Sequence, residues 1–534
     1  MVPLAAEPAT GFTLADLSSL LLIGSLTVIL CAMAVRLSTK TGLPSLLLYL
    51  GVGMLVDAAG IEFRNVQLTL VLGYAALVLI LIEGGLTTSW GGIRRSVAPA
   101  ALLSTVGVVV SVAVVALAGR FLLGWSWNTA LLVAAIVSST DAAAVFSVLR
   151  AVPLPRRLTG MLEAESGFND APVVILVTAL ATRAADPANG VGPLELVGLA
   201  ILELSVGALI GLAVGYVGGR LMRRAAAGSS GLFSIGVVAV AVLAYAVATS
   251  IHASGFIATY LAALVLGNLR LPHQAAVHAF GSALGWLAQI GLFVLLGMLA
   301  APSGFAAQII PALVIGTVLL VLARPLSVLA SVSWFGFSVR EQAFLSWAGL
   351  RGAVPVVLAT VPVITRAPNM DWIFELVFVL VVIFTLVQAP TLPWLAQRLG
   401  VIEEHRARSL TMETTPLEEL GASMMHVAIG RRSHLHGVAI FELRLPDGSD
   451  ITLILRDGKT IVPTPRTRLL HGDQLLLVTT DAQRARTEEM LRAVSQGGRL
   501  AEWSAADAPA ACASAPAARP VRPEPRRCPT RQSH

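Results

Sequence analysis

Charge is what this sequence has little of. Asp, Glu, Lys and Arg make up 13% of its 534 residues, about half the share of a soluble globular protein, so water is not the main solvent for most of the chain. Cysteine is scarce as well: Cys31 stands in an apolar segment, and Cys512 and Cys528 lie in a tail rich in Pro, Ala and Arg. That excludes a disulfide framework and a cysteine-based metal site. No Lys or Arg occurs from Met1 to Asp16, so the basic leader of a cleaved signal peptide is lacking and the first apolar segment is expected to stay as an anchor. Nor is there a TVGYG-like filter, the mark of a potassium pore. The basic pI of about 9.7 does not point to nucleic acid, because the Lys and Arg residues form short clusters between apolar runs rather than one basic face.

Apolar residues are what the chain has in abundance, at 56% of the whole with a mean hydropathy of +0.80. A spanning helix needs roughly 17 to 25 mainly apolar residues. Read loosely where segments are short, that rule gives about 13 spans: 17–35, 43–56, 68–83, 97–119, 128–149, 158–181, 196–219, 232–250, 254–268, 278–299, 308–332, 340–364 and 373–397. The second and ninth are short enough to be tilted, broken or re-entrant. Loops on one side carry Arg36, Lys40, Arg94, Arg95, Arg150, Arg156, Arg157, Arg220, Arg223, Arg224, Arg270 and Arg340, with Arg398 after the last span, whereas the other side holds only Arg64, Arg120, Arg183 and Arg366. Positive residues stay cytoplasmic, which predicts an N-terminus outside and a C-terminus in the cytoplasm. After Arg398 the composition turns polar. The runs VAIFELRL, ITLILR and QLLLVTT, separated by Asp447-Gly448 and Asp457-Gly458, predict strands and hairpins, and Ala482 to Val494 predicts a helix. The expected organisation is a membrane domain over 1–400, a linker over 401–412, a small α+β domain over 413–495, and a tail over 496–534 whose Ala/Pro/Arg composition predicts disorder.

Ionisable groups at mid-bilayer depth are costly, so each is a functional candidate. The sixth span reads LTGMLEAESGFNDAPVVILV from Leu158 and sets Asp170 about 12 residues in, roughly 18 Å deep at 1.5 Å per residue. Glu165 and Asn169, and Ser166 and Asp170, are i,i+4 pairs on adjacent ridges, an oxygen-rich set suited to a small hard cation. The fifth span reaches the polar run Ser138-Ser139-Thr140-Asp141 at similar depth, and the twelfth reads SWAGLRGAVPVVLA with Arg351 between two glycines and Pro355. Both predict unwound helices, tolerated only where they are buried or line a cavity. Their displacement of seven spans is odd, as two repeats of inverted topology require. Asp141 can equally be a cap at a helix break. Arg351 needs an anion in low dielectric and is assigned to Glu165, which leaves Asp170 to be held neutral by either a proton or a metal cation, but not both. Arg324 is expected to snorkel to the interface, Glu163 and Glu83 to face a funnel or a packing partner, and His252, His273 and His278 to lie in or near loops.

The motifs SSTDAAAVFSVL, LEAESGFNDAPVV and WAGLRGAVPVVLA, with LIEGGL at 81–86, together resemble the NhaP-type cation/proton antiporters (cation/proton antiporter family 1). The likeness is greatest to the potassium/proton antiporters of the cell-volume-regulation type. The resemblance implies an all-α polytopic protein of the bacterial inner membrane, in two inverted-topology repeats with crossing unwound helices, that commonly forms a homodimer in the lipid bilayer. The resemblance also implies a secondary transporter rather than an enzyme. By that resemblance Asn169-Asp170 is the pair of electroneutral members, Asp170 carries ion and proton, Glu165, Ser166 and Thr140 help to bind a monovalent cation, and Asp141 and Arg351 support the crossing. Potassium is favoured over sodium by likeness only, and no cofactor is implied beyond the transported K+ or Na+ and H+. The segment from His426 to Gln474-Leu475 resembles the C-terminal subdomain of regulators of potassium conductance (RCK_C, TrkA-C-like), which implies dimerisation and a small regulatory ligand, often a nucleotide. The rival readings are a ligand-gated cation channel and an intramembrane aspartyl protease built from Asp141 and Asp170. The protease needs two carboxylates sharing a proton, whereas here an Asn adjoins one and an Arg is at hand.

Overall fold

Unbroken apolar stretches become helices here because a helix satisfies its own backbone where water cannot. The computed structural model describes residues 14–41, 44–61, 65–141, 154–186, 192–225, 229–402, 411–417, 422–430, 433–456, 458–480 and 482–497, in two compact units, Met1–Glu403 and Glu404–His534. In the first unit the helices are α1 (Leu14–Thr41), α2 (Ser45–Ala58), α3 (Val66–Thr87), α4 (Val97–Leu122), α5 (Trp127–Val137), α6 (Arg156–Ala185), α7 (Pro193–Ala225), α8 (Ser230–Ser250), α9 (Gly255–Asn268), α10 (Gln274–Leu299), α11 (Pro302–Phe335), α12 (Val339–Trp347), α13 (Ala353–Leu358) and α14 (Ile373–Leu399). Among the described residues, eight helices are long and apolar enough to cross a membrane and five shorter apolar helices accompany them. Each apolar segment read from the sequence falls on one or more of these helices. The fifth is described only to Asp141, and the part of its motif after that residue lies outside the described residues.

Two departures from regular helix position the site. α4 contains a π-turn at Leu103–Gly107 and α11 one at Leu319–Ala323; such turns bend a helix and re-aim the residues beside them. They meet through serines: Ser327 Oγ donates to Gly107 O at 2.8 Å and lies 2.7 Å from Ser111 Oγ. Ser104, inside the first π-turn, donates to Glu165 O at 3.1 Å, and Arg324 follows directly on the second.

The second unit is a five-stranded antiparallel sheet of order β1-β2-β5-β3-β4, with β1 Thr411–Leu417, β2 Ala422–Ala428, β3 Ser449–Arg456, β4 Lys459–Ile461 and β5 Gln474–Thr480, followed by α15 (Arg484–Gly497). Alternation along β2 and β5 turns Met425, Val427, Leu475 and Leu477 into a core that Leu491 and Val494 of α15 complete. The run VAIFELRL is not a strand. Ile440–Leu443 forms a 3-10 turn because the Glu442 carboxylate reaches back to the Ala439 N–H at 2.8 Å and Leu443 is drawn into the core. The only fully buried carboxylate among the described residues of this unit, Asp473, is held by a two-pronged pair with Arg456 at 2.8 and 2.8 Å.

Candidate functional site

Serine and threonine hydroxyls compete for the backbone bonds that hold a helix together, and α5 stops where three of them follow one another. Ser138 Oγ donates back to Ala134 O at 2.6 Å, and Ser138 to Asp141 run on without helical structure. In the twelfth segment α12 ends at Trp347, residues 348–352 are unwound, and α13 starts at Ala353. The two unwound stretches cross: Asp141 N donates to Leu350 O at 2.8 Å. Glycine is required at 352, because a methyl there would overlap the Asp141 carboxylate. The C-terminal ends of α5 and α12 both carry unpaired carbonyls and partial negative charge, and Arg351 answers them. It is 4% exposed, its Nε donates to Val137 O at 3.2 Å, and its Nη1 donates to Gly349 O.

Arg351 is therefore not the partner of Glu165. That partner is Arg324, which was expected at the membrane interface. Its Nη1 meets Glu165 Oε1 at 2.5 Å and its Nη2 meets Oε2 at 2.8 Å, with Arg324 4% and Glu165 2% exposed. The fork of the guanidinium matches the carboxylate, and the π-turn just before Arg324 aims it inward. A signal for this was present, because Arg324, Ser327 and Ser331 at i, i+3 and i+7 make one polar stripe on an otherwise apolar helix, and all three are buried.

From Glu165 a polar chain runs outward: Thr140 Oγ1 donates to Glu165 Oε1 at 3.0 Å and Asn169 Nδ2 donates to Thr140 Oγ1 at 3.1 Å. Asn169 Oδ1 is buried and left without a partner among the described residues. Asp170 receives one hydrogen bond, from Ser139 Oγ to Oδ1 at 2.9 Å, and is 6% exposed. No Lys, Arg or His among the described residues pairs with it. Ser139 belongs to the polar run but was not among the residues nominated from the sequence. A cavity of about 230 Å³ reaches Asp170, Thr140, Asp141 and Ser166 of the nominated residues, and Glu83, Glu163, Tyr260 and Gln289 also line it; Glu165, Asn169 and Arg351 stand behind its wall.

The family described as sodium/hydrogen exchanger, transmembrane, matches residues 25–398, and the TrkA-C domain matches residues 424–492. A K(+)/H(+) antiporter NhaP of Alkalimonas amylolytica is 36% identical over 83% of this chain and 78% of its own length. A K(+)/H(+) antiporter NhaP2 of Shewanella baltica is 32% identical over 87% and 81%. The solved sodium proton antiporter MjNhaP1 of Methanocaldococcus jannaschii superposes with a TM-score of 0.63 at 21% identity, covering 72% of this chain and 99% of that one, which is a likeness of fold. On these matches the chain belongs to the sodium/hydrogen exchanger family, as a polytopic membrane cation/proton antiporter of the NhaP type and not an enzyme, with a TrkA-C domain at its C-terminal end.

Proposed function

We propose that this antiporter exchanges K+ for H+ one for one by competition of the two ions for Asp170. The observation that carries the reading is a carboxylate in the wall of a cavity, 6% exposed, with a single hydroxyl donor and no cationic partner among the described residues. An isolated anion in that setting is expensive and is relieved by one proton or one alkali cation. Glu165, by contrast, is neutralised by Arg324, so it serves the site by holding Thr140 and, through it, Asn169. With that pair cancelled, Asp170 is the one of the two buried α6 carboxylates left to exchange, which supports electroneutral stoichiometry. Ser166 and Thr140 would supply neutral oxygens to the cation, with Asn169 holding Thr140 from behind the cavity wall.

The unwound segments five and twelve, and the π-turns in segments four and eleven, recur at the same displacement of seven, which supports two inverted repeats and alternating access by one half against the other. The cavity is walled by Glu83, Thr87 and Glu163, near the ends of helices whose loops carry Arg94, Arg95 and Arg157. By the positive-inside rule it faces the cytoplasm, in a protein with its N-terminus outside and all its spans, short helices included, in the inner membrane. We assign the 413–495 domain to regulation by a small ligand, a nucleotide being the class its resemblance implies, and the membrane domain to a homodimer.

Potassium is chosen because the relatives at 32–36% identity are named for it; a more distant relative named Na(+)/H(+) antiporter NhaS2, 28% identical over 60% of this chain, makes sodium the alternative. In proteoliposomes, K+ and Rb+ gradients are expected to drive proton movement faster than Na+, and removal of residues 413 to 495 is expected to change the apparent ion affinity without abolishing flux. Faster flux with Na+ would reverse the ion assignment. Gly352→Ala in the same assay is expected to slow exchange about 10- to 100-fold by forcing the crossing apart; a rate within twofold of the parent would show that the close approach is dispensable.

A further inference from the structure

The wall of the cavity carries chemistry that exchange at Asp170 does not use. Glu163 and Asp170 stand on α6 at i and i+7, on one face and two turns apart, about 10 Å along the axis. Ser166 and Gly167 between them also line the cavity. Tyr260 of α9 covers this stretch. The tip of its ring lies against Gly167, where a methyl group would overlap Cζ, and Phe168 holds the ring edge-on with centroids 5.7 Å apart and planes at 83°. Tyr260 is 2% exposed, yet its hydroxyl, in the cavity wall, closes no well-formed hydrogen bond among the described residues, the Thr88 side chain being its neighbour there. Leaving a buried hydroxyl unpaired is costly, so a partner that comes and goes is the economical explanation. Glu163, half-buried beside it, has no cationic side chain among the described residues to neutralise it. Glu83, half-buried, and Thr87, exposed, line the same cavity.

We propose that Glu163 and Tyr260 form a second station for the transported monovalent cation, two helical turns from Asp170 and on its route to the cavity mouth. The carboxylate supplies the charge and the phenol oxygen a neutral ligand that replaces part of the hydration shell before the ion reaches Asp170. Gly167 fits the same picture, since any side chain there would push the phenol out of the path. The proposal rests on Asp170 as the exchange site, and its test separates the two.

The experiment uses the full chain in proteoliposomes, with initial proton flux measured against the concentration of whichever of K+ and Na+ drives the faster exchange. Glu163→Gln and Tyr260→Phe are expected to raise the apparent KM for the cation about five- to tenfold with the maximal rate within twofold of the parent. Glu163→Asp should restore most of the affinity. Phe keeps the ring against Gly167 and Phe168 and removes only the oxygen. Because one station needs both groups, the double variant should be little worse than the weaker single one. The idea is overturned by a KM within twofold of the parent in both single variants, by a fall in maximal rate with KM unchanged, or by effects that multiply. Asp170→Asn, run beside them, keeps the readings apart: silence there with normal kinetics of both Glu163→Gln and Tyr260→Phe removes the second station alone, whereas exchange that survives Asp170→Asn removes the site on which it rests.

Discussion

Asp170→Asn should reduce cation-driven proton movement on the order of 100-fold or more, to the level of empty vesicles, while leaving the protein folded. The amide has the shape of the carboxylate, and its oxygen can still accept the Ser139 hydroxyl that now lies 2.9 Å from Oδ1. What it cannot do is change charge. A side chain that is neutral at every pH neither releases a proton when a cation arrives nor attracts the cation when the proton leaves, so both half-cycles stop together. Stability should hold or rise, because a buried anion without a counter-charge has been replaced by a neutral group that can hydrogen-bond. The check is dye-reported proton flux in proteoliposomes, paired with the melting temperature and elution profile of the purified protein. Loss of flux with a collapsed elution profile would only show that Asp170 is structural. Retained flux would remove the competition mechanism, and ion currents insensitive to the substitution would favour a channel.

Most of this site could be read from the sequence because a membrane makes polarity conspicuous. Asp170, the Ser138–Asp141 run and the glycine-flanked Arg351 stand out in segments where each polar group is expensive, and depth follows from counting residues. The short second and ninth segments were equally legible: α2 and α9 have 14 residues each, about 21 Å of helix against a hydrocarbon core of roughly 30 Å. Partners were less legible. Two buried arginines lay within reach of Glu165 in principle, and only the bend at Leu319–Ala323 decides that Arg324 arrives there. The far wall of the cavity was hidden for a related reason. Ser45, Leu77 and Gln289 come from α2, α3 and α10, whose proximity to α6 is a property of the packing and leaves no local pattern. In the C-terminal unit the apolar run VAIFELRL looked like a strand because it is short and rich in β-formers, yet a single carboxylate bonding back three residues turns part of it into a 3-10 turn.

Arg324→Ala is expected to be among the most destabilising single changes in the membrane domain. It leaves the Glu165 carboxylate, 2% exposed, with only the Thr140 hydroxyl, and breaking a buried pair by removing one partner costs about 3–5 kcal/mol. Glu165→Gln strands the guanidinium instead and should cost a similar amount. Removing both charges together is a different matter: Arg324→Met with Glu165→Leu keeps the volume and leaves no buried ion, so most of the lost stability should return. Transport should not return with it. Without the carboxylate, Thr140 loses its acceptor, and the relay that holds Asn169 Nδ2 at 3.1 Å loosens beside Asp170. The pair therefore predicts that stability and exchange separate, with the single variants melting far below the parent and the double variant melting near it while its exchange stays at least about tenfold slower. Melting temperatures of the parent, Arg324→Met, Glu165→Leu and the double variant in detergent complete the cycle, and proton flux supplies the second axis. A coupling below about 1 kcal/mol between the two positions would mean that the Arg324–Glu165 pair does not anchor the fold, and a double variant that transports at the parental rate would mean that it does not order the residues around Asp170.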